Sequence, residues 1–358
     1  MTKLKKSLTA FIVPLLSILL AFLIGAIIML ALHASPITAV KFLLQGALGS
    51  KANIGTTLSR ATPLMFTALC ACFAYKCGVF NLGGEGQFII GSVAACYLAL
   101  RSGVTGVPAM LLCLFAGALA GGLWGAIPGT LKITRGQNEM IISIMLNYVA
   151  TLFMGVIYTN WLRDANVPQT EAVPDATQLP RVIPGMRFTW ALVIAVIVGL
   201  ALYYFLFWTS AGFKLRAVGF NMTASRFSGF PVKRYILTSF IVSGAIAGLG
   251  GAAELLGTQL RLINGFGAGY GFDGVAMALI GQLHPIATML VAVFFAALRT
   301  GSTTMQAATG VPTSVSDIIQ ALVIVFSVAG MALVKLPEFE AFRQRIFSGR
   351  TGKEAGKI

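Results

Sequence analysis

The chain has 358 residues, of which 57% are hydrophobic and only 10% are charged. Soluble domains carry about a quarter charged residues, so this composition excludes a water-soluble globular protein and makes lipid part of the solvent. The 26 Lys and Arg outnumber the 11 Asp and Glu, which gives a formal net charge of +15. We attribute this excess to loops that orient membrane spans rather than to nucleic-acid binding.

Apolar runs predict an all-α polytopic membrane protein with about ten membrane segments. A spanning helix needs about 20 predominantly apolar residues. The longer runs cover residues 8–32, 56–75, 140–158, 188–208, 235–256 and 317–334. The shorter or weaker runs cover residues 87–100, 107–127, 273–283 and 286–298. The first run follows three lysines but is longer than the apolar part of a signal peptide, so we expect it to be a retained span.

Ten crossings from a basic N-terminus place both termini in the cytoplasm, and most of the 26 Lys and Arg then fall on the inside, as membrane proteins prefer. The expected organisation is a single transmembrane domain over residues 1–358. It has a short cytoplasmic N-terminus at 1–7, a basic cytoplasmic loop at 209–234 and a cytoplasmic tail at 335–358. The proline-containing stretch 161–187 is expected to be an extended outer loop.

Small residues recur at helical spacing and indicate close helix packing. Without a hydrophobic force between helices in lipid, close backbone approach supplies the contact. The four-residue repeats are Gly117, Gly121, Gly125 and Gly129 in one run, and Gly244 and Gly248 in another. Pro128 is expected to end its helix before Gly129.

Two glycine-rich breaks, at residues 80–87 and 265–274, interrupt the apolar pattern in the two halves of the chain and define two Gly-broken half-repeats. Irregular backbone at membrane depth is tolerated only where protein buries it or where it lines a cavity; an ordinary cytoplasmic turn is the alternative for the first break. Each break leads into a helix N-terminus, near Gln87 and Asp273, with free N–H donors. Broken, short segments in corresponding halves point to a transport site. Asp273 could instead cap its own helix.

A polar stripe follows one face of the run 140–158. Its members are Glu139, Ser143, Asn147 and Thr151. Asn138 and Glu139 suit a helix N-terminus. Asn147 lies near mid-span and is the better candidate for a solute pathway, with an amide bonded to a neighbouring helix as the alternative. Further along, Glu254 is expected to pair with Arg261.

No pattern typical of catalysis appears. The chain has no G-x-x-x-x-G-K-[ST] phosphate cradle, no G-x-S-x-G and no H-E-x-x-H. The five cysteines lie in or beside apolar runs, where Cys behaves as a small hydrophobe, so we predict no disulfide framework and no metal site. Energy for active work must then come from a partner or an ion gradient.

Four stretches together resemble the permease subunits of the ABC importer family that handles nucleosides, simple sugars and branched-chain amino acids, with the nucleoside-type branch fitting best. They are residues 78–91 (GVFNLGGEGQFIIG), 138–150 (NEMIISIMLNYVA), 215–229 (LRAVGFNMTASRFSG) and 271–281 (GFDGVAMALIG). Phe220, Phe230 and Gln282 depart from the residues expected in that branch.

The resemblance implies an assembly of two permeases, identical or different, and two ABC ATPase subunits, fed by an extracytoplasmic substrate-binding protein in the bacterial cytoplasmic (inner) membrane. ATP would be used by the ATPase subunits, with no catalytic residue and no cofactor on this chain. The solute would be small and polar, with nucleosides favoured over simple sugars.

The loop that would dock into the ATPase carries the coupling residues that the resemblance implies; a positive-inside anchor is the alternative for this loop. Those coupling residues are Arg216, Gly219, Asn221, Arg226 and Gly229.

The breaks and the stripe together predict a translocation pathway around a central cavity near the bilayer midplane. Its predicted residues are Asn81, Glu85, Gln87, Asn147 and Asp273.

Two other classes of function remain open from the residues. In an ion-coupled secondary transporter of small polar solutes, Glu85 and Asp273 would be proton or ion sites. A membrane-embedded enzyme is disfavoured because no nucleophile and base are paired in the sequence.

Overall fold

The computed structural model describes residues 3–164 and 167–334, so the predicted tail at 335–358 lies outside the described residues. Regular structure in the described part is helical, with only isolated β-bridges besides, which confirms the all-α class. The helices are α1 (Lys3–Ala31), α2 (Pro36–Leu48), α3 (Lys51–Lys76), α4 (Gly84–Arg101), α5 (Val107–Arg135), α6 (Glu139–Val156), α7 (Trp190–Trp208), α8 (Ser210–Phe220), α9 (Met222–Phe227), α10 (Val232–Glu254), α11 (Tyr270–Ile280), α12 (Pro285–Thr309) and α13 (Ser314–Val334). Short π-helical turns, Ile157–Trp161 and Leu255–Gln259, extend α6 and α10.

Six helices in the described part of the chain are long and apolar enough to cross a membrane, which makes this a multi-pass membrane protein. They are Lys51–Lys76, Val107–Arg135, Glu139–Trp161, Trp190–Trp208, Val232–Gln259 and Pro285–Thr309. The pair Leu15–Ala31 and Pro36–Leu48, bent by 117°, would make a seventh if it counted as one span. The count of about ten segments stays a prediction, because α11 and the Ser314–Gly330 part of α13 rank only as shorter apolar helices, and α4 does not meet the criteria for a span.

Three local expectations differ from the structure. α5 runs through Pro128 to Arg135, so the predicted helix end before Gly129 is wrong. A proline removes one backbone hydrogen bond, and membrane helices tolerate this loss where neighbouring groups satisfy the freed carbonyl. Helix α2 was not predicted, and α12 continues well past residue 298 into a Ser/Thr-rich stretch.

The chain forms two compact units, and every predicted site residue lies in the second. Within the described residues, the first consists of 3–41 together with 305–334, and in it α1 packs against α13. There, a Cβ on Gly25 would lie 2.6 Å from the Ile319 Cδ1 atom. The second unit is Phe42–Thr304.

The core of the second unit is a glycine-lined contact between α5 and α10, with α4 packed against both. A Cβ on Gly248 would lie 2.8 Å from the Cα of Gly121 and even closer to the Gly117 carbonyl oxygen. On the α4 side, Gly91 also approaches the Gly248 backbone. The interpretation of these glycines as packing residues is therefore confirmed.

Helix α3 lies inside this unit, since every residue from Ala61 to Tyr75 is buried. A span of this kind is solvated by protein rather than lipid. It therefore accommodates hydroxyl side chains such as Thr67, which donates to the Pro63 carbonyl at 3.1 Å. This central helix carries the elements that position the candidate site.

The loop between α6 and α7, which was predicted to lie outside, is tied to the segment after α10. The Val173 N–H donates to the Leu260 carbonyl at 2.9 Å, and Arg261 forms an ion pair with Asp164 at 2.9 Å. The predicted pair of Glu254 with Arg261 is therefore wrong. Leu260 has a left-handed backbone (φ 59°), which ends the helical register after the π-turn and directs Arg261 to the loop.

Replacing Gly248 with alanine should destabilise the protein. The added Cβ would overlap backbone atoms of α5 that cannot rotate away, and overpacking typically costs about 1–3 kcal/mol. We expect Gly248→Ala to lower the thermal unfolding midpoint in detergent. The matched control is Gly155→Ala on α6, where no neighbouring atom lies within 4 Å of the new Cβ, and its midpoint should stay or rise. Equal midpoints for both variants would contradict the packing account.

Candidate functional site

The two glycine-rich breaks meet in space, and each leads into a helix N-terminus as predicted. Helix α4 begins at Gly84 and α11 at Tyr270, three residues before Gln87 and Asp273, so the last part of each predicted break is already helical. The Gly269 N–H donates to the Glu85 Oε2 atom at 3.0 Å. A Cβ on Gly271 would lie 2.5 Å from the Glu85 backbone nitrogen, so only glycine fits this contact. We call this meeting point the α4–α11 junction.

From this junction the two helices lead to opposite ends of the unit. The last residue of α4, Arg101, donates to the Trp161 carbonyl at the end of the π-turn that follows α6. Helix α11 instead leads toward the end of α3, where Ala278 packs in a buried cluster with Cys72. The partial positive charges of both N-termini therefore converge on one place.

The first break is not an exposed turn, because Asn81 and Gln87 are each only 1% exposed. Their side-chain amides bond reciprocally: Asn81 Nδ2 donates to Gln87 Oε1 at 3.0 Å, and Gln87 Nε2 donates to Asn81 Oδ1 at 3.2 Å. Asn81 Nδ2 also donates to Ser243 Oγ on α10 at 2.8 Å, and Asn81 Oδ1 accepts from the Gly83 N–H at 3.0 Å. This network fixes the irregular backbone against α10.

Asn147 on α6 holds the other side of the same break. Its Oδ1 accepts the Gly86 N–H of the first turn of α4 at 2.8 Å, and its Nδ2 donates to the Leu82 carbonyl at 2.9 Å. The structure is compatible with both interpretations of Asn147. Its amide is bonded to a neighbouring segment, and the same side chain borders a cavity that could belong to a solute pathway. As predicted, Asn138 caps α6 and Glu139 lies in its first turn. Glu139 also forms an ion pair with Lys132, which was not predicted.

Asp273 lies in the first turn of α11 but does not cap it, because the cap position is Gly269. Its Oδ2 atom pairs with Arg299 Nη2 on α12 at 2.6 Å. The Arg299 carbonyl in turn accepts from Arg60 Nη1 on α3 at 3.0 Å. Sequence reasoning missed Arg299; the available signal was a lone cation directly after the apolar run 286–298.

A cavity of about 230 Å³ opens beside the junction. Its lining combines three polar side chains with three aromatic ones, among smaller and aliphatic residues. The lining residues are Glu85, Ile89, Ile144, Asn147, Tyr148, Thr151, Gly265, Phe266, Ala268 and Phe272. The cavity is open on one side, where Tyr148 is 66% and Phe272 50% exposed. Of the predicted pathway residues, Glu85 and Asn147 line it, whereas Asn81, Gln87 and Asp273 are not among its lining residues.

The predicted coupling loop folds into helices α8 and α9. Asn221 caps α9 by accepting the Ala224 N–H at 2.9 Å. Gly219 fits against the end of α3, where its Cβ would lie 3.0 Å from the Gly78 nitrogen. Arg226 is exposed, and Gly229 ends the segment with a left-handed backbone (φ 80°).

An exposed apolar surface accompanies these two helices. Phe220 and Phe227 are both 89% exposed. A groove of about 470 Å³ borders Phe220 and includes Arg216, Asn221 and Phe230 in its lining. Exposed aromatic side chains beside such a groove are typical of a protein-binding surface. Sequence reasoning noted Phe220 and Phe230 as departures but missed Phe227.

Comparison with known proteins gives a family match and full-length relatives. The family model described as branched-chain amino acid transport system / permease component matches residues 53–328. A guanosine ABC transporter permease protein of Bacillus subtilis is 34% identical over 334 residues, covering 92% of this chain and 96% of the relative. A nucleoside ABC transporter permease protein of Lactococcus lactis is 33% identical, covering 96% of this chain and 98% of the relative.

A glucose ABC transporter permease protein of the archaeon Haloferax volcanii is 32% identical over 358 residues, covering 97% of this chain and 93% of the relative. No solved structure matches the chain.

Removing the Asn147 amide should destabilise the junction. Asn147→Leu keeps the volume but leaves the buried Gly86 N–H and Leu82 carbonyl without partners, and each such loss costs about 1–3 kcal/mol. We expect a clear drop of the thermal unfolding midpoint in detergent. Ser143→Ala is the control one turn away, because Ser143 Oγ is buried without a hydrogen-bond partner, and its midpoint should not fall. An unchanged midpoint for Asn147→Leu would show that the amide does not hold the break.

Proposed function

Since the chain belongs to the branched-chain amino acid transport system / permease component family, we propose that this ABC importer permease forms the path for nucleosides, with simple sugars as the second choice. The observation that carries the proposal is the α4–α11 junction beside its open cavity. Two helix N-termini and a carboxylate meet there, next to aromatic side chains. Half-helices that meet near mid-membrane are the usual construction of a transport site.

The cavity lining suits a neutral solute with both a ring face and hydroxyl groups. Phe266, Phe272 and Tyr148 offer flat apolar surfaces on which a base can stack. Asn147 and Thr151 offer amide and hydroxyl groups, and Glu85 offers acceptor oxygens for sugar hydroxyls. A nucleoside uses both kinds of surface, whereas a simple sugar uses mainly the polar one.

The relatives support the same solute classes. The names of the Bacillus and Lactococcus proteins specify guanosine and nucleosides, and the name of the Haloferax protein specifies glucose. The aromatic lining of this cavity favours the first class for this chain. We place the chain in the cytoplasmic membrane of a bacterium.

The proposed assembly has partners on three surfaces. A second permease, identical or different, would close the open side of the cavity at Tyr148 and Phe272. An ABC ATPase subunit would bind the groove at α8 and α9 through Phe220 and Phe227, and an extracytoplasmic substrate-binding protein would dock at the opposite end. ATP would be hydrolysed by the ATPase subunits, and this chain would perform no catalysis and hold no cofactor.

Ten membrane segments follow if α4 and α11 are counted as partial crossings and α2, α8 and α9 as non-crossing. The segments would then be α1, α3, α4, α5, α6, α7, α10, α11, α12 and α13. The basic tail would lie in the cytoplasm together with α8 and α9.

The ion-coupled alternative is weaker because both candidate acids are engaged. Asp273 is paired with Arg299, and Glu85 accepts a backbone N–H from Gly269. Release of a coupling ion would have to break these contacts in each cycle. We therefore prefer the ATP-driven importer.

Substitution of Glu85 tests the proposal. Glu85→Leu removes the acceptor for the Gly269 N–H and a polar group of the cavity, whereas Glu85→Gln keeps an oxygen at that place. A hydrogen bond to a charged group contributes about 1.5–3 kcal/mol. We expect the Leu variant to take up radiolabelled guanosine at least about tenfold more slowly, and the Gln variant to be intermediate, in cells that express the complete importer.

Glu171→Gln, at an exposed acid of the outer loop, is the control and should transport normally. All variants are compared at equal membrane levels of the permease. If Glu85→Leu took up guanosine at the wild-type rate, the junction would not be part of the transport path. Absence of nucleoside and sugar uptake by the unmodified importer would refute the proposed solute class.

A further inference from the structure

The ring of Phe207 near the end of α7 is surrounded by groups that carry or can carry positive charge. Lys76 Nζ lies 5.7 Å and Arg216 Cζ 5.0 Å from its centroid. The His284 ring lies 5.4 Å from the Phe207 ring and 5.3 Å from that of Tyr203. We call these five residues, Lys76, Tyr203, Phe207, Arg216 and His284, the Phe207 cluster.

The charge of this cluster is not balanced by carboxylates within the described residues. The ion pairs found there join Lys132 to Glu139, Arg261 to Asp164 and Arg299 to Asp273. Neither cation of the Phe207 cluster takes part in them. Contact with an aromatic face attracts a cation but does not neutralise it, so the two cations beside one ring repel each other.

Arg216 adds an independent indication of a missing acceptor. Its Nε atom is buried and has no hydrogen-bond partner. A buried N–H donor without an acceptor costs about 1–3 kcal/mol, and buried polar groups in proteins are nearly always satisfied. An anion between Arg216 and Lys76 would accept from this donor and would relieve the repulsion.

The cluster lies where helices meet a membrane surface. Lys76 ends α3, and Trp208, which is 70% exposed, ends α7 directly after Phe207. Tryptophan and basic residues at the ends of spans mark the level of the lipid headgroups. The exposed apolar side chains Ile197, Leu200 and Tyr204 extend from there along α7 and offer a surface for acyl chains.

We propose that the Phe207 cluster binds the phosphate of an anionic phospholipid headgroup. The phosphate oxygens accept from Arg216 Nε and Lys76 Nζ, and His284 supplies a further ring N–H. Guanidinium and ammonium groups together suit a phosphate at a basic pocket between spans. The bound lipid joins α3, α7 and α8, so it steadies the helix that carries Gly219 and Phe220. Assignment to the cytoplasmic leaflet rests on the proposed topology, but lipid binding itself does not.

Native mass spectrometry of the purified full-length protein in detergent tests this site. The protein is titrated with phosphatidylglycerol and, separately, with phosphatidylcholine, and phosphatidylglycerol should bind more tightly. In Lys76→Gln/Arg216→Gln, we expect phosphatidylglycerol to bind about thirty-fold more weakly, equivalent to about 2 kcal/mol, because each basic residue near anionic lipid contributes about 1 kcal/mol.

The matched control removes two other cations of the same region, Lys214 and Lys233, which are exposed and lie outside the cluster. Lys214→Gln/Lys233→Gln should bind phosphatidylglycerol within about threefold of wild type, because a single bound lipid contacts the cluster and not these side chains. If the control variant lost as much phosphatidylglycerol affinity as the cluster variant, the loss would follow from net charge alone, and the proposal would be overturned.

Two other results would also overturn it. The cluster variant could bind phosphatidylglycerol like wild type; if it also lost co-purification with an ATPase subunit, the cations would be assigned to a partner carboxylate. Inorganic phosphate at millimolar concentration could displace the lipid, which would assign the site to free phosphate. If the double variant does not fold, the wild-type titration decides, since equal binding of the two lipids refutes the site.

Discussion

Two helix N-termini that face each other inside a membrane protein impose the constraint on which the rest of this structure depends. The first N–H groups of any helix have no partner within that helix, and buried N–H groups must find partners within the protein. Glu85 on α4 accepts the Gly269 N–H at the start of α11, and Asn147 on α6 accepts the Gly86 N–H at the start of α4. The carboxylate also offsets the partial positive charge of both ends. Gly271 lets the two backbones touch.

The polar residues around the junction divide into two groups with different tasks. Asn81, Gln87 and Ser243 form a closed, buried network that holds the break against α10. Glu85 and Asn147 serve the backbone and also face the cavity. Helix α3 links the junction to α8, because its Thr67 region contacts Gly274 of α11 and its C-terminal end contacts Gly219 of α8. We expect movement at α8 to reach the junction along this helix.

The sequence could predict the breaks, both helix N-termini and the glycine contacts, because these features follow from local composition and spacing. It could not predict which side chains would meet. The reciprocal amide pair of Asn81 and Gln87 depends on the turn before α4, and the Asp273 partner, Arg299, lies on a different helix. The predicted helix end at Pro128 is wrong because proline disfavours a helix locally, whereas tertiary packing keeps α5 intact. Tertiary contacts of this kind cannot be predicted from the hydropathy of the sequence.

The central claim is that the open cavity beside the junction is part of the solute path. Ala268 lines it and is exposed, whereas the five native cysteines are buried. The direct measurement is the rate at which a water-soluble methanethiosulfonate reagent labels Ala268→Cys in the assembled importer, with and without saturating nucleoside. The control is Thr105→Cys in the exposed loop between α4 and α5. The account predicts that nucleoside slows labelling at position 268 and leaves the rate at position 105 unchanged. Equal rates at position 268 with and without nucleoside would contradict it.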